Sequence, residues 1–495
     1  MKSKVATSAR PPATSARPLA ASAASASSTR PTSAADDLTA ALPWDIAKRY
    51  SRPVPRYTSY PPAPAWKAAD PSLAHAAHER AKTGKGPLSV YVHVPFCERM
   101  CLYCGCNVVV SRSYDKPTRY VTALLREIEM VAANLGGRPL AQLHFGGGTP
   151  TFLTPDDLTR IVRAIFAALP PTPSAELGIE IDPVVTRREH LTALRALGFN
   201  RLSIGVQDFG DDVQTIIDRR QSAKVSRDAF ALGRELGFAS INLDLMYGLP
   251  GQSRAHVERS MQAACELGPD RIAFFGYAHV PHIKPHQKQL ETHGIPAPEE
   301  RWETFHAARG ILLREGYRPI GMDHFAKPGD ELALAASDGR LNRNFQGYTV
   351  LAPMDLVGFG VTAISEVSGT FLQNGHRLTE YMEAIEAGRL ATERGLLLSP
   401  DDELRRQIIT DIMCNLRLDY AAIGARFGID VTKTFAGAIA ALAPLEADGL
   451  VKRTASGLAV TELGRPLVRN VALCFDAYAT PADGKAAAGR FSNAI

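Results

Sequence analysis

Four of the chain's seven cysteines lie in one short segment, CERMCLYCGC, at residues 97–106. Cys97, Cys101 and Cys104 form a C-x3-C-x2-C pattern, and Cys106 follows two residues after the last of them. A zinc site normally takes four protein ligands, and Cys106 could supply the fourth, although C-x-C spacing is poor for tetrahedral closure. Three thiolates at these intervals suit three corners of a [4Fe–4S] cluster, whose fourth iron then stays open to a small molecule. The spacing favours the cluster, and a four-cysteine zinc site is the alternative.

The elements that must position these cysteines begin at Leu88, where short β-rich runs start to alternate with longer stretches of helical spacing. The runs occupy residues 88–94, 140–145, 177–182, 201–207, 241–248 and 271–278. Such alternation is typical of a parallel sheet with helices packed on it. Six units predict an α/β fold, either an open barrel or most of a closed one. The cysteine segment follows the first strand, at the carboxyl ends where barrel enzymes carry their active residues.

The two ends of the chain differ from this central pattern. Residues 1–38 consist mainly of Ala, Ser, Thr, Pro and Arg and repeat TSARP. Too little apolar surface is present to fold, which predicts a disordered tail; a transit peptide is the alternative interpretation. Residues 390–495 are mainly helical, with a hairpin at 449–464, and resemble a winged-helix domain that packs as a lid rather than binding DNA. Residues 39–87 are expected to close the site, and residues 88–389 to form the barrel and its extension.

Composition excludes several classes of protein. No run of eighteen apolar residues occurs, so no membrane span is expected. Residues 1–40 contribute +3 of the formal net charge of +5, which leaves weak ground for a nucleic-acid partner. The other cysteines, Cys265, Cys414 and Cys474, are scattered singly, which argues against a disulfide scaffold and for a reducing, cytoplasmic location.

A glycine motif adds a second signal. GGGTP, at residues 146–150, follows the second predicted strand, where glycines allow a ligand to approach the backbone closely. Together with the cysteine pattern after the first strand, this arrangement resembles the radical S-adenosylmethionine (SAM) superfamily. The glycines would then lie against the methionine part of SAM.

Ten motifs in order give a closer resemblance, to the oxygen-independent coproporphyrinogen III oxidase family. They are PRYTSYP (55–61), YVHVPFC (91–97), CGCN (104–107), HFGGGTP (144–150), EIDP (180–183), FNRLSIGVQDF (199–209), DLMYGLP (244–250), GMDHFA (321–326), NFQGYT (344–349) and CNLRLDY (414–420). The resemblance runs from Trp44 to Ile495, so only the tail falls outside it.

The resemblance implies a radical decarboxylation. A reduced [4Fe–4S] cluster gives one electron to SAM, which yields methionine and a 5′-deoxyadenosyl radical. That radical removes a hydrogen from the β-carbon of a propionate, and loss of CO2 and an electron leaves a vinyl group. Two propionates are treated in this way, which converts coproporphyrinogen III into protoporphyrinogen IX in haem biosynthesis. The cofactor carries the chemistry, and the protein provides position and excludes water.

The resemblance also assigns residues. The cluster ligands fall on Cys97, Cys101 and Cys104, whereas Cys106 is linked to activity without binding iron. Two SAM molecules are implied. The cluster-bound one contacts Tyr91, Gly147, Glu180 and Ile364. The second contacts Tyr103, Gly148, Thr149, Gln207, Arg219, Asp244 and Ala278.

Each of these residues has a simpler interpretation without the resemblance. A strand-end Asp or Glu is often a helix cap, and Arg219 beside Arg220 could lie on a solvated face. His93 would be a packed histidine. With the resemblance, His93 becomes a proton or substrate contact and joins Tyr91, Cys106 and Glu180 as the predicted catalytic set.

The expected partners are coproporphyrinogen III and an electron donor such as flavodoxin or ferredoxin, with the enzyme a monomer and no nucleic acid or membrane involved. Within PRYTSYP, Arg56, Tyr57 and Tyr60 could offer charge and ring surface to the substrate; the alternative is that this stretch only pins the amino terminus to the barrel. A related haem-binding chaperone lacks the fourth cysteine and PRYTSYP, so the oxidase is favoured. A winged-helix regulator with a cluster sensor is a third, weaker possibility.

Overall fold

The structure, a computed structural model, describes residues 42–69 and 71–479. The predicted tail at residues 1–38 lies outside the described residues. No described helix is both long enough and apolar enough to cross a bilayer.

A parallel sheet in chain order forms the centre of the described region, and the six predicted strands are confirmed. A seventh parallel strand, which the sequence pattern did not reveal, pairs with the first. In chain order these strands are β1 Leu88–Val94, β2 Leu140–Gly147, β3 Pro171–Ile181, β4 Arg201–Gln207, β5 Ser240–Tyr247, β6 Arg271–Gly276 and β7 Asp355–Phe359. β7 lies outside β1, so the spatial order is β7-β1-β2-β3-β4-β5-β6.

Antiparallel strands extend both edges of this sheet, and its two ends remain unjoined, so the barrel is open. Beyond β7 lie Ile364–Val367, Thr370–Asn374, Thr392–Leu397 and Lys67–Ala68. Beyond β6 lie His324–Ala326 and Arg318–Ile320. Because Thr392–Leu397 pairs with Thr370–Asn374, the sheet continues past residue 389, where the sequence pattern predicts the change to the C-terminal domain.

The burial pattern of each strand explains the pattern of apolar and polar residues in its sequence. β1 is buried along almost its whole length, because helices cover one face and the barrel interior the other. β4 instead alternates between buried and partly exposed residues. Its apolar side chains Leu202, Ile204 and Val206 are buried in the main core, whereas Ser203 and Gln207 border a cavity inside the barrel. The alternation therefore separates helix-facing from cavity-facing positions.

Helices connect and flank the strands. The connections after β1 to β6 contain Asp115–Leu135, Pro155–Ala168, Arg188–Ala196, Asp211–Ile216, Ala223–Glu235, Arg254–Leu267, Pro298–Arg314 and Glu331–Asp338. Leu378–Glu386 packs on the helix after β1, and Pro71–Ala81 precedes β1. Thr154, Ser222 and Ser253 cap three of these helices by accepting a backbone N–H in the first turn.

The C-terminal region is mainly helical with a small sheet. Its helices are Pro400–Asn415, Tyr420–Phe427, Val431–Thr434, Ala436–Ala441, Ala443–Ala447 and Val468–Leu473. Val451–Thr454 and Gly457–Val460 form the predicted hairpin, and Arg417–Asp419 adds a third antiparallel strand. The predicted helical domain with a short β wing is confirmed.

The N-terminal segment and the C-terminal helices share one hydrophobic core, and we call residues 42–60 with 400–476 the terminal unit. Tyr57 and Tyr60, at most 7% exposed, pack in this core together with Ile408 and Phe475. The Tyr57 hydroxyl donates to Asp476 at 3.0 Å. Both rings are therefore packing residues rather than a surface offered to a ligand, as the simpler interpretation of PRYTSYP predicts.

Candidate active site

A cavity of about 500 Å³ opens inside the barrel, with the cysteine segment at one end. Its volume lies within the usual range for small-molecule sites, roughly 300–1,000 Å³. Most of the predicted site residues line it. They are Cys97, Cys101, Tyr103, Cys104, Cys106, Gly147, Gly148, Thr149, Glu180, Gln207, Arg219 and Asp244.

The cysteine segment is held against the barrel by backbone contacts. Phe96–Cys97 pairs in parallel with Val109–Val110, which closes the loop between them. The Cys97 Sγ lies 3.4 Å from the Thr149 hydroxyl, which joins the loop to the glycine motif. These contacts place the three predicted ligand thiols on the same wall of the cavity.

The thiols differ in their tendency to ionise. A hydrogen bond from the Cys106 thiol lowers the pKa of Cys104 to about 6. Burial raises the pKa of Cys97 to about 12 and also raises the pKa of Cys101. Cys106 is exposed, so it borders the cavity while supporting the thiolate of its neighbour.

The glycine motif is required for the loop to approach the strand. Gly147 has a φ of +113°, and a Cβ there would lie 2.6 Å from the His93 ring. A Cβ on Gly148 would lie 2.8 Å from the carbonyl oxygen of Phe96. The glycines thus let the second strand pack against the residues before the cysteine loop, and their contact with SAM stays a prediction.

Arg219 is buried at the centre of a polar network rather than on a solvated face. It donates to the Tyr103 hydroxyl at 3.0 Å and to the Gly205 carbonyl at 2.7 Å. Its Nη1 lies 3.9 Å from the Cys101 Sγ, and its Nη2 lies 3.8 Å from Asp182. A fixed cation beside a predicted cluster ligand favours negative charge at this end of the cavity.

Tyr91 and His93 lie behind the cavity wall. The Tyr91 hydroxyl is 3.1 Å from His93 Nδ1, and His93 Nε2 is 3.2 Å from the Asn107 carbonyl oxygen. Burial lowers the pKa of His93, so the ring is neutral. Both ring nitrogens of His93 therefore have hydrogen-bond partners within the protein, as in a packed histidine. Glu180, in contrast, borders the cavity, and its carboxylate lies 3.2 Å from His144 Nε2.

Two acceptor positions complete the wall formed by β4 and β5. Asp244 accepts hydrogen bonds from Ser203 at 2.9 Å and from Asn242 at 2.8 Å. Burial, with the charge of Glu180, raises its pKa to about 6. Gln207 has a φ of +69°, a left-handed conformation that side-chain-bearing residues rarely adopt and that is found most often at functional sites.

Known proteins match the chain over most of its length. A model of the radical SAM superfamily matches residues 91–264, and a model of the HemN C-terminal domain matches residues 398–467. Oxygen-independent coproporphyrinogen III oxidase of Escherichia coli (strain K12) is 40% identical over 441 residues, covering 88% of this chain and 96% of that protein. The enzyme of that name from Pseudomonas aeruginosa is 41% identical over 439 residues, covering 88% and 95%.

A solved structure agrees with these similarities. Coproporphyrinogen III oxidase (HemN) from Escherichia coli, a radical SAM enzyme, matches with a TM-score of 0.83 and 39% identity, covering 88% of this chain and 99% of that one. The chain belongs to the oxygen-independent coproporphyrinogen III oxidase family. It is a radical SAM oxidoreductase, and the resemblance read from the ten motifs is confirmed.

As a member of this family, the chain uses a [4Fe–4S] cluster and SAM. The donor set fits the cluster, because Cys97, Cys101 and Cys104 border one cavity and lie close enough to perturb one another's pKa. The zinc alternative needs four ligands around one ion. Membership of the radical SAM superfamily, rather than the arrangement of the thiols, decides between the two alternatives and implies the cluster.

Three predicted SAM contacts do not line the cavity: Tyr91, which lies behind its wall, and Ala278 and Ile364. Ala278 follows β6, and its carbonyl oxygen accepts from Gln287, which also donates to the Tyr103 carbonyl. Ile364 begins the strand beside β7, and its backbone lies against Gly358. Ala278 therefore neighbours the cavity through Tyr103, and Ile364 lies beyond the edge of the lining residues.

Sequence reasoning missed the charged floor and one wall of the cavity. At the floor, Arg201 and Arg271 both donate to Glu331, at 2.5 and 2.7 Å. The sequence did contain a signal for this floor. Each arginine is the first residue of a predicted β-rich run, and both line the cavity inside the barrel. The missed wall contains His324 and Tyr348, which belong to the quoted motifs GMDHFA and NFQGYT but had no assigned role.

Proposed function

We propose that this enzyme removes CO2 and a hydrogen from two propionate side chains of coproporphyrinogen III, giving the vinyl groups of protoporphyrinogen IX. The observation that carries the proposal is that one cavity brings three predicted ligand thiols together with polar acceptors and a fixed cation. When bound, the [4Fe–4S] cluster and SAM supply the one-electron chemistry that removes a hydrogen from the propionate β-carbon.

The residues of the cavity wall divide into three roles. Cys97, Cys101 and Cys104 would hold the cluster. Arg219 would pair with a SAM carboxylate, because its guanidinium is buried and held by Gly205 and Tyr103. Asp244 and Glu180 are placed to accept hydrogen bonds from ribose hydroxyls or an amino group.

Two SAM molecules per chain are part of the proposal. The predicted contacts of the first include Glu180 and Gly147, whereas those of the second include Arg219 and the Tyr103 to which it is hydrogen-bonded. Equilibrium binding of SAM to the reconstituted enzyme should therefore saturate near two molecules per chain. Arg219→Met should remove one of them and leave the cluster loaded, and a stoichiometry of one in the wild type would contradict the second site.

Exclusion of water is assigned to the terminal unit. We propose that residues 39–87 close the site, that residues 88–389 form the barrel and its extension, and that residues 390–495 act as a packing domain. The shared core of the terminal unit fixes the segment before the barrel against the helices after it, which supports a closing role for the two together. A flavodoxin or ferredoxin donor, a monomeric state and a cytoplasmic location complete the proposal.

The deciding experiment is an anaerobic assay of the reconstituted full chain with SAM, a reductant and coproporphyrinogen III. Protoporphyrinogen IX, oxidised to its fluorescent porphyrin and quantified by chromatography, is the expected product. Cys97→Ala should yield none, and Cys265→Ala, a cysteine remote from the cavity, should match the wild type. Tight haem binding without product would contradict the oxidase and favour the chaperone.

A further inference from the structure

A histidine–carboxylate pair with no assigned function lies at the wall of the cavity. Asp323 Oδ1 lies 2.7 Å from His324 Nδ1, which fixes the ring and leaves Nε2 without a hydrogen-bond partner among the described residues. His324 borders the cavity with Phe275 and Tyr348. Its ring meets both aromatic rings edge to face, with centroids 5.5 and 5.3 Å away. The imidazole is therefore oriented and held, with one nitrogen available to a ligand.

Cations from distant parts of the chain surround this pair. Arg56, in the terminal unit, donates from Nη2 to Asp323 Oδ2 at 2.5 Å. Arg343 donates to the Arg56 carbonyl oxygen at 2.7 Å and lies 5.0 Å above the Tyr348 ring. The Arg343 Nε is buried and makes no hydrogen bond. Arg56 is thus paired with the Asp323 carboxylate, and Arg343 adds a second guanidinium held against the Arg56 backbone, which leaves an excess of positive charge beside His324.

The position of His324 in the sheet points it toward the reacting region. His324 pairs with Ala273 of β6, and Ala273 pairs with Asp244 of β5, so the three residues form one row across the strands. Ala273 is small and leaves space between the two polar side chains. A ligand group bound at His324 would therefore lie two strands from the residue predicted to contact SAM.

We propose that His324, protonated on both ring nitrogens, oriented by Asp323 and supported by Arg56 and Arg343, donates from Nε2 to a propionate carboxylate of the substrate. The inference rests on the proposed function and extends it by naming where the substrate is held. Coproporphyrinogen III carries four carboxylates, and only two of them are lost in the reaction. The enzyme can therefore hold the substrate throughout by a propionate carboxylate that is not removed. Phe275 and Tyr348 provide flat apolar surface beside the cation excess, which suits a pyrrole ring next to its propionate.

The connection through Arg56 gives this site a second property. The arginine belongs to the segment that packs with the C-terminal helices, and it reaches the cavity wall through Asp323 and over the ring of Phe275, 6.0 Å from its centroid. Docking of the terminal unit and orientation of His324 are thus joined by a hydrogen-bonded chain, Arg343–Arg56–Asp323–His324. A carboxylate bound at His324 would rest against a wall that is complete only when the terminal unit is in place.

The test compares His324→Asn with His324→Gln in the reconstituted full-chain enzyme. Asn keeps a donor near the Nδ1 position for Asp323 but has nothing at the Nε2 position, whereas Gln places an amide donor there. We expect His324→Asn to raise the KM for coproporphyrinogen III about tenfold or more, the scale of a lost hydrogen bond to a charged group. His324→Gln should recover most of the loss, and iron content and the KM for SAM should not change.

A binding titration and a control variant separate an effect on substrate binding from an effect on turnover. Fluorescence titration with coproporphyrin III, a tetracarboxylate that needs no turnover, should show the same ranking of variants and a similar weakening in Arg56→Gln. His75→Asn, which changes a side chain that is 74% exposed, should bind like the wild type.

The outcomes divide cleanly. Unchanged KM and titration in His324→Asn with a full cluster would overturn the inference, and so would equal losses in the Asn and Gln variants. A rise confined to the KM for SAM would show that the carboxylate is that of SAM and would also overturn it. A wild type that binds coproporphyrin III through His324 yet makes no protoporphyrinogen would refute the proposed function and leave the carboxylate site standing.

Discussion

Two walls of the same cavity are built in different ways. The cysteine wall comes from one segment, residues 97–106, whose thiols are positioned by a short loop after β1. The wall around His324 is assembled from distant segments, and the Arg56–Asp323 pair joins residues 267 positions apart. A local motif thus positions the redox chemistry, whereas tertiary folding positions the wall that we assign to the substrate. Changes to the two walls should therefore fail in different ways.

The largest effect is expected on the cysteine wall. Replacing Cys97, Cys101 or Cys104 with Ala removes one of the three proposed cluster ligands, and both SAM cleavage and product formation should be abolished. Iron and sulfide analysis after anaerobic reconstitution, with about four of each in the wild type, measures the loss. Cys265→Ala is the matched control. A full cluster and normal activity in Cys97→Ala would show that the ligand assignment is wrong.

The next effect concerns the opposite wall. Deletion of residues 1–61 removes Arg56 and the buried rings of Tyr57 and Tyr60, so coupled turnover should collapse. SAM cleavage without product should persist, because the described part of this segment, residues 42–61, makes no hydrogen bond to the cysteine wall. The thermal midpoint should also fall, since these rings belong to the core shared with the C-terminal helices.

A milder variant isolates the packing part of that effect. Tyr57→Phe keeps the ring and loses only the hydrogen bond to Asp476, which should cost about 1 kcal/mol of stability with little change in turnover. If the deletion turned over normally, the terminal unit would have no role at the cavity. If Tyr57→Phe lost turnover as fully as the deletion, Tyr57 itself would act on the substrate.

The two walls also differ in how far the sequence could predict them. The cysteine spacing and the strand–helix alternation are local patterns, so the six strands could be predicted directly and the three cysteines proposed as cluster ligands. β7 was missed because DLVGF is a short run that gains its place only by pairing with β1. No local pattern states that Asp355 lies beside Leu88.

Burial was the other quantity that the sequence could not supply. Arg219 beside Arg220 is compatible with a solvated face, and only the folded chain places its guanidinium against Gly205 and Tyr103. The sequence PRYTSYP is compatible with a surface that contacts the substrate or with a segment that packs the amino terminus against the barrel. In the structure its arginine pairs with Asp323, beside the cavity residue His324, while its tyrosines pack in the core.

An intermediate effect is expected at Cys106. Its thiol is exposed at the cavity and supports the Cys104 thiolate, so Cys106→Ser should keep the iron content and lower turnover. The loss should be about tenfold, the scale of one altered hydrogen bond to an ionised partner. Iron analysis and steady-state rates measure the two quantities separately. Loss of the metal would indicate a fourth ligand and return the four-cysteine site to consideration.

A smaller, pH-dependent effect is expected at Asp244. Its pKa is about 6 in the folded protein, above the ordinary value for Asp, because burial and then the charge of Glu180 disfavour the carboxylate. The folded state is therefore penalised at every pH above 6, and the penalty is relieved as the pH falls from about 6 to 4. Its size is about 2 kcal/mol after allowance for partial exposure.

The comparison of wild type with Asp244→Asn measures this penalty. Without added SAM, thermal midpoints recorded between pH 7.5 and 4.5 should show the wild type gaining on the variant as the pH falls. Asp228→Asn, which changes a side chain that is 61% exposed, should run parallel to the wild type. Parallel curves for Asp244→Asn as well would mean that the carboxylate titrates normally.

The smallest effect is expected outside both walls, in residues 1–36. This stretch is built mainly from Ala, Ser, Thr, Pro and Arg, and ordering it would cost about 1–2 kcal/mol per residue of backbone entropy without enough apolar burial to offset that cost. A chain that starts at Asp37 should therefore match the full chain in rate, KM and cluster content. Its stability should agree within about 0.5 kcal/mol. Because the truncation keeps Arg56 and the tyrosines of PRYTSYP, it is also the control for the longer deletion. A large loss of turnover in the shorter truncation would indicate that part of the tail acts at the cavity. The effect of the longer deletion could then no longer be attributed to the loss of Arg56.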